Sequence, residues 1–271
     1  MNHKRRFQWT ITACILILLI GLSYIAVQSL YPEAPFIQDD ELLKEYQILF
    51  VGNSYTFSND FPQIFAKLAQ SGGYDVSVAM LAEGGWALSK HSQSIGSIER
   101  IQQQSWDYVI LQEQSNIPSN PKEREQNMYP AIRLLHKEIE NMGADVILFM
   151  TWGRRDGLPQ SGYNDFDEMQ TELETGYINI ADELNVMVSP VGIAWQNGLE
   201  KNPQLDLWQG DGSHPNMNGS YLAACVFYAV IFQESPEGLA YMAGLQVDLG
   251  HFLQSIAAET VFDDLERWNI K

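Results

Sequence analysis

Apolar and polar positions follow one another along this chain in blocks whose period switches repeatedly from strand-like to helix-like. Residues 48–51, Ile-Leu-Phe-Val, are continuously apolar and partly β-branched, the pattern of a short buried strand, and Gly52 with Asn53 supplies the turn chemistry that ends it. Residues 62–70 then read as a helix stopping at Gly72-Gly73, and 74–81 alternate like a second strand ahead of a loop at 83–86. Residues 108–111 give a third strand. A long helix is expected over 123–141, where Ile132, Leu135 and Ile139 recur at helical spacing and Gly143 fits a C-terminal cap. A strand at 146–150, a helix at 165–184 and a strand at 186–189 complete the alternation. After Asn216, Tyr221, Leu222, Cys225, Phe227 and Ile231 mark a helix that packs the C-terminal part onto the sheet, and 247–268 read as a final helix. His136 falls on the surface of the 123–141 helix, and His251 reads as structural.

Strands that alternate with helices imply a mostly parallel sheet covered on both faces, because parallel neighbours need crossover connections. The expected fold is therefore an α/β three-layer α/β/α sandwich on a five-stranded sheet. With 271 residues and 45% hydrophobic content the chain can bury one sizeable core. The expected division is an N-terminal segment at 1–32, an acidic, Pro-containing tether at 33–45, and one globular domain at 46–271.

The N-terminal segment changes the picture most. Lys4-Arg5-Arg6 precedes a stretch from 7 to 32 without a charged side chain, whose apolar part, 9–27, is just long enough to span a bilayer. A single-pass transmembrane helix is expected, with the basic start cytoplasmic and the domain outside. A cleaved signal that releases the domain is the alternative, with Val27 and Ser29 as a passable small-residue site. The formal net charge is −18, and residues 1–30 hold only basic charges, so the remainder is more acidic still and nucleic acid is not an expected partner. Cys14 and Cys225 offer neither a plausible disulfide nor a metal site. Neither His-Glu-x-x-His, Cys-x-x-Cys nor a Walker loop occurs, and no cofactor or metal is expected.

The candidate chemistry begins at Ser54, which the first strand delivers to its carboxyl end, where open α/β sheets bind ligands. The same Gly-Asn-Ser could be an ordinary strand-terminating turn, since the second glycine of a Gly-x-Ser-x-Gly elbow is replaced by Thr56. Far along the chain, Gly210-Asp-Gly-Ser-His-Pro-Asn216 sets Asp211 and His214 three residues apart in a loop. A serine hydroxyl is a weak nucleophile at neutral pH. It needs a neutral imidazole to take its proton and a carboxylate to hold the other ring nitrogen, and His214 and Asp211 are of those types.

Gly52-Asn-Ser-Tyr-Thr56 and Asp211-Gly-Ser-His214 together resemble the SGNH (GDSL-type) hydrolase superfamily, with Gly84-Gly85 after the second strand and Leu111-Gln-Glu-Gln-Ser115 after the third extending the likeness over roughly 46–235. The resemblance implies a flavodoxin-like strand order, a Ser54–His214–Asp211 triad, and an oxyanion hole from the backbone N–H groups of Ser54 and Gly85 (or Gly84) with a side-chain amide. Two positions depart from the family pattern. Asn53 stands for the usual Asp, a change expected to matter little, and Gln112 to Ser115 stands where Gly-x-Asn-Asp is usual. Gln114 aligns with the family's Asn and is the expected amide donor, with Gln112 as the alternative. The two glutamines, one residue apart, are expected to point in similar directions.

Thr151-Trp-Gly-Arg-Arg-Asp156 follows the fourth strand, so it falls on the same rim as Ser54. Trp152 is a candidate stacking face for a sugar, and Arg154 or Arg155 a candidate for binding a substrate carboxylate; the alternative is that the arginines form a salt bridge with Asp156. Ser119-Asn-Pro-Lys122 matches Ser-x-x-Lys only by letter. The function these features lead us to expect is a serine esterase that removes small acyl groups, including acetyl groups from a carbohydrate. An acyltransferase with the same triad and a non-catalytic binding module on the same fold are the alternatives. The substrate is a small-molecule or carbohydrate ester, the membrane is engaged through the N-terminal segment, and the oligomeric state is left open.

Overall fold

The structure, a computed structural model, describes residues 44–271. The expected transmembrane helix and most of the tether lie outside the described residues. Within the described residues no helix is long and apolar enough to cross a membrane.

Strand β1 (Tyr46–Gly52) runs into a one-turn helix α1 (Ser54–Phe57) and then α2 (Phe61–Ser71). Strand β2 (Val76–Ala82) is followed by two short helices, α3 (Leu88–Gln93) and α4 (Ile95–Gln102). Next come β3 (Tyr108–Leu111), α5 (Tyr129–Asn141), β4 (Asp145–Phe149), α6 (Phe166–Leu184) and β5 (Met187–Ser189). Helices α7 (Val191–Lys201), α8 (Met217–Phe232) and α9 (Val247–Phe262) close the chain. The five strands are all parallel in the order β2-β1-β3-β4-β5.

The order explains the composition of β1. It lies between two neighbours and under helices on both sides, so Ile48, Leu49, Phe50 and Val51 are all fully buried, which an alternating strand would not tolerate. On one face α8 packs against α2, α7 and α9; on the other α3 and α4 pack against α5. Phe227 of α8 meets Phe50, Phe61 and Phe149 at centroid distances of 5.9, 5.6 and 4.9 Å, joining sheet to helix through offset and edge-on rings. Cys225 is buried in the same helix.

Several boundaries differ from expectation for local reasons. Strand β2 starts at Val76 because the N–H of Tyr74 is held by Ala69 O in the turn that closes α2. The 123–141 helix is interrupted: a π-helical stretch, Arg124–Met128, precedes α5, and Pro130, which has no N–H to give, sits in the first turn. The final helix stops at Phe262, and a separate 3₁₀ turn, Glu266–Trp268, follows it. Helices α3, α4 and α7 were not expected, although α4 carries an apolar face with Ile98 and Ile101 within its eight residues. His136 is half-buried, and His251 is exposed on α9 instead of structural.

Candidate active site

The serine is placed by a turn that only glycine permits. A Cβ on Gly52 would collide with Thr56 Oγ1 and Gln112 Oε1, so the chain can reverse there only without a side chain. Asn53 caps α1, its Oδ1 accepting the N–H of Tyr55 at 3.1 Å, and leaves Ser54 as the first helical residue, half-buried at the carboxyl end of β1. Being first, Ser54 has an N–H with no acceptor within its own helix.

His214 approaches from the far end of the chain. Its Nε2 lies 2.8 Å from Ser54 Oγ, and its Nδ1 lies 2.5 Å from Asp211 Oδ2. Asp211 also shapes the loop, because its Oδ1 accepts the N–H groups of Ser213 at 2.9 Å and His214 at 3.0 Å. Partial burial pushes the Asp211 carboxyl up, but the hydrogen bond from the His214 ring and those two N–H groups outweigh it and bring the pKa down to about 2. The aspartate is therefore anionic across the neutral range and fixes the proton on Nδ1, which leaves Nε2 as the acceptor facing the serine.

Two aromatic residues hold that loop. Trp152 Nε1 donates to Ser213 O at 3.0 Å, and the Tyr55 hydroxyl pairs with Ser213 Oγ at 2.7 Å. Trp152 itself is sandwiched, with Tyr55 stacked at 4.8 Å on one side and Trp195 at 4.2 Å on the other, and is 1% exposed. It therefore has no free face for a sugar, and that expectation is corrected: the indole supports the histidine loop from beneath.

The two glutamines point differently. Gln112 is fully buried, its Oε1 accepting from Asn53 N and Thr56 Oγ1, both at 2.9 Å, while its Nε2 donates to Glu113 O. Its amide is committed to the floor of the site. Gln114 instead lines the cleft with Ser54, and its Oε1 accepts the N–H of Asn116 at 2.9 Å, which leaves Nε2 without an acceptor among the described residues. Both lie beyond the end of β3 at Leu111 and ahead of the turn that begins at Ser115, so the strand's alternation does not fix their directions. Gly85, at φ +70, lines the same cleft, whereas Gly84 does not. The cleft encloses about 270 Å³ and also takes in Arg154, whose Nε donates to Asn116 Oδ1 at 3.2 Å. The ion pair with Asp156 is made by Arg155, at 3.2 Å, and not by Arg154.

Sequence reasoning missed two buried ionisable residues. Glu113 is fully buried; its Oε1 accepts the N–H of Leu88 at 3.0 Å and of Gln114 at 2.6 Å, and its Oε2 has no partner among the described residues. It thus ties the segment after Gly85 to Gln114. Burial pushes its pKa up to about 7, against the pull of those two hydrogen bonds. His91, also buried, lies 2.8 Å from Gly52 O through Nε2 and 3.2 Å from Ser97 Oγ through Nδ1; burial lowers its pKa, so it serves as a neutral donor to the glycine carbonyl. Glu113 takes the variable position of the 112–115 segment and His91 stands in no motif, so the signal that identifies them is burial. Asn53 has a further role: its Nδ2 donates to Trp86 O at 2.9 Å, a contact that the aspartate usual at this position, once ionised, could not make.

A larger cleft of about 470 Å³ lies at the amino ends of β3, β4 and β5, lined by Tyr108, His136, Glu140 and Asp145 among others, and contains no serine–histidine pair. Among the described residues no group of three or more His, Cys, Asp and Glu side chains is arranged to hold a metal ion.

With the geometry established, comparison places the chain among known proteins. A family model described as a domain of unknown function, DUF4886, matches residues 94–242. No curated protein matches. A DUF4886 family protein from Bacteroides uniformis is 18% identical, with 82% of this chain and 96% of that one covered at a TM-score of 0.68. A candidate SGNH hydrolase from Slackia heliotrinireducens is 26% identical over 68% of this chain and 97% of that one, at a TM-score of 0.57. Axe2, an acetylxylan esterase from Geobacillus stearothermophilus, is 17% identical over 68% and 92%, at 0.53. The fold is that of the SGNH hydrolases, including the flavodoxin-like strand order that the motifs implied.

Proposed function

This chain belongs to the DUF4886 family, and we propose that it is a serine esterase that cleaves small acyl esters through an acyl-enzyme. The observation that carries the reading is the unbroken line Ser54 Oγ, His214 Nε2, His214 Nδ1, Asp211 Oδ2, with steps of 2.8 and 2.5 Å. In the proposed reaction His214 Nε2 takes the Ser54 proton as Oγ attacks the ester carbonyl, and Asp211 stabilises the imidazolium that forms. The tetrahedral oxyanion is received by the N–H groups of Ser54 and Gly85 and by Gln114 Nε2. His214 then returns the proton to the departing alcohol oxygen, the acyl group stays on Ser54, and water activated by the same histidine releases it as the acid.

The small cleft of about 270 Å³ favours a short acyl group. That the alcohol is a carbohydrate rests on analogy of fold with the acetylxylan esterase. The N-terminal basic cluster and apolar run support a domain anchored outside the cytoplasm. Carbonate extraction of membranes tests that placement, and release into the soluble fraction would refute the anchor. The enzymatic reading is tested with esters of graded acyl length on the full chain and on Ser54→Ala. A burst of alcohol release that is stoichiometric with enzyme and absent from the variant is expected, and equal rates for the two proteins would overturn the reading.

A further inference from the structure

Of the six arginines in the described residues, four are engaged by carboxylates: Arg124 with Glu172 at 3.1 Å, Arg133 with Glu183 at 2.6 Å, Arg155 with Asp156 at 3.2 Å, and Arg267 with Glu174. Arg100 bonds Gln103 and lies over the Trp106 ring at 5.3 Å. Arg154 is the exception inside the cleft. Its guanidinium has one hydrogen-bond partner among the described residues, the neutral Asn116 Oδ1, which takes Nε, and Arg154 lines the same cleft as Ser54 and His214. In a chain of net charge −18, rich in carboxylates, a half-buried guanidinium beside Ser54 with no carboxylate partner among the described residues is chemically suited to an anion.

The sheet order says which half of an ester would reach it. Ser54 follows β1, Gly85 follows β2 on one side, and Arg154 follows β4, two strands away on the other. Strands lie about 4.8 Å apart, so the two strand ends are separated by about 10 Å, a span that one long side chain and a sugar-sized group can bridge. Arg154 also sits on the histidine side: the next residue, Arg155, donates its N–H to Gly212 O at 3.0 Å, within the loop that carries His214. His214 delivers its proton to the leaving oxygen, so the alcohol half of the substrate lies toward Arg154.

We propose that Arg154 binds a carboxylate on the alcohol half of the substrate, making the preferred substrate class an acyl ester of an acidic alcohol such as a uronic acid. This rests on the esterase reading of the Ser54 site and deepens it. The guanidinium presents its terminal N–H pair to the carboxylate, which holds the ring so that its esterified hydroxyl faces Ser54.

The test compares monoacetylated methyl glucuronoside with monoacetylated methyl glucoside, which differ by one carboxylate, on the full chain in detergent. The wild type is expected to favour the acidic ester in kcat/KM by roughly 10- to 100-fold, mainly through KM, the gain typical of a charge-assisted hydrogen-bonded pair. In Arg154→Gln that ratio should fall to near one, and Arg154→Lys should restore part of it. Methyl glucoside succinate monoester, with its carboxylate on the acyl half, should show no such Arg154-dependent gain. A ratio unchanged by Arg154→Gln would overturn the proposal, and a gain confined to the succinate ester would overturn its assignment to the alcohol half. Binding of free methyl glucuronoside and methyl glucoside, followed by NMR titration, separates this from failure of the esterase reading. An acidic preference lost in Arg154→Gln supports the anion site even if no ester turns over, and equal binding of both sugars refutes it.

Discussion

Trp152 donates its indole N–H to the carbonyl of Ser213 at 3.0 Å, immediately before the histidine that faces the nucleophile. The His214 loop is thus held from below by an indole that is itself buried. Trp152→Phe keeps an aromatic ring between Tyr55 and Trp195 but removes the donor. Turnover should fall about tenfold, because a histidine loop displaced by a fraction of an ångström misaligns proton transfer, while KM changes little. Stopped assays of kcat and KM check this; unchanged turnover would show that the Tyr55–Ser213 hydrogen bond alone suffices.

Ser54→Ala and His214→Ala should each lower kcat by roughly 10⁴-fold or more, and the double variant should be no worse than the weaker single, since the two residues act as one unit. Asp211→Asn should be comparable or milder, because the carboxylate orients the ring without itself taking the proton. Circular dichroism should stay native throughout. Near-normal turnover in His214→Ala would remove the triad.

Gln114→Ala should lower kcat about 10²- to 10³-fold with little change in KM, the usual effect of deleting an oxyanion donor. Gln112→Ala should act on the fold first: it leaves Asn53 N and Thr56 Oγ1 buried without their acceptor, at a cost of about 1–3 kcal/mol for an unsatisfied buried group. Thermal unfolding alongside kinetics separates the two, and a Gln114→Ala enzyme of normal turnover would take that amide out of the mechanism.

Glu113 makes stability depend on pH in an unusual sense. Its folded pKa, about 7, lies above its ordinary 4.5, so the buried carboxyl favours the fold fully below about 4.5 and loses that contribution as pH rises through 7. The difference amounts to about 3 kcal/mol at most. Glu113→Gln keeps an acceptor for Leu88 and Gln114 but cannot ionise. Relative to wild type, its melting temperature should rise between pH 5 and pH 8 by several degrees. A constant offset across that range would mean the carboxyl is not protonated in the fold.

Asn53→Asp tests the departure from the motif. The swap is nearly isosteric, yet an ionised carboxylate would face the carbonyl of Trp86 where an amide now donates at 2.9 Å. A drop of about 1–3 kcal/mol in stability at pH 8 is expected, shrinking on acidification as the carboxyl regains a proton to donate. A pH-independent effect would point to packing instead.

The legible part of this protein was the part written locally. The apolar run 48–51 leads to Ser54, and Asp211 and His214 share one loop, so residue types and short spacings sufficed to name the three side chains that the fold brings together. What was not legible depends on which way a side chain turns once the chain leaves a strand. Trp152 lies on the rim in sequence but faces inward, because Tyr55 and Trp195 close over both its faces. Gln112 and Gln114 part company beyond the end of β3 at Leu111. Glu113 and His91 became visible only when loops distant in sequence closed over them. The short α3 and α4, of six and eight residues, hold too few positions for a helical period to stand out, and they depend on their neighbours for their place.

The N–H of Asn53 has a consequence for how the domain breathes. It is sealed against the Gln112 oxygen under fully buried strand ends, while the side chain of the same residue clasps the Trp86 carbonyl in the next loop. No small fluctuation of one loop can bare that proton, so its deuterium exchange should wait for cooperative opening of the whole unit, placing the floor beneath the nucleophile in the slowest-exchanging class of the protein. Any ligand held by the folded cleft and not by the unfolded chain raises the stability of the entire unit and should slow the Asn53 proton in full proportion, whereas amides of the cleft's rim can also be slowed by local stiffening alone. One amide then serves as a built-in gauge for telling the two apart.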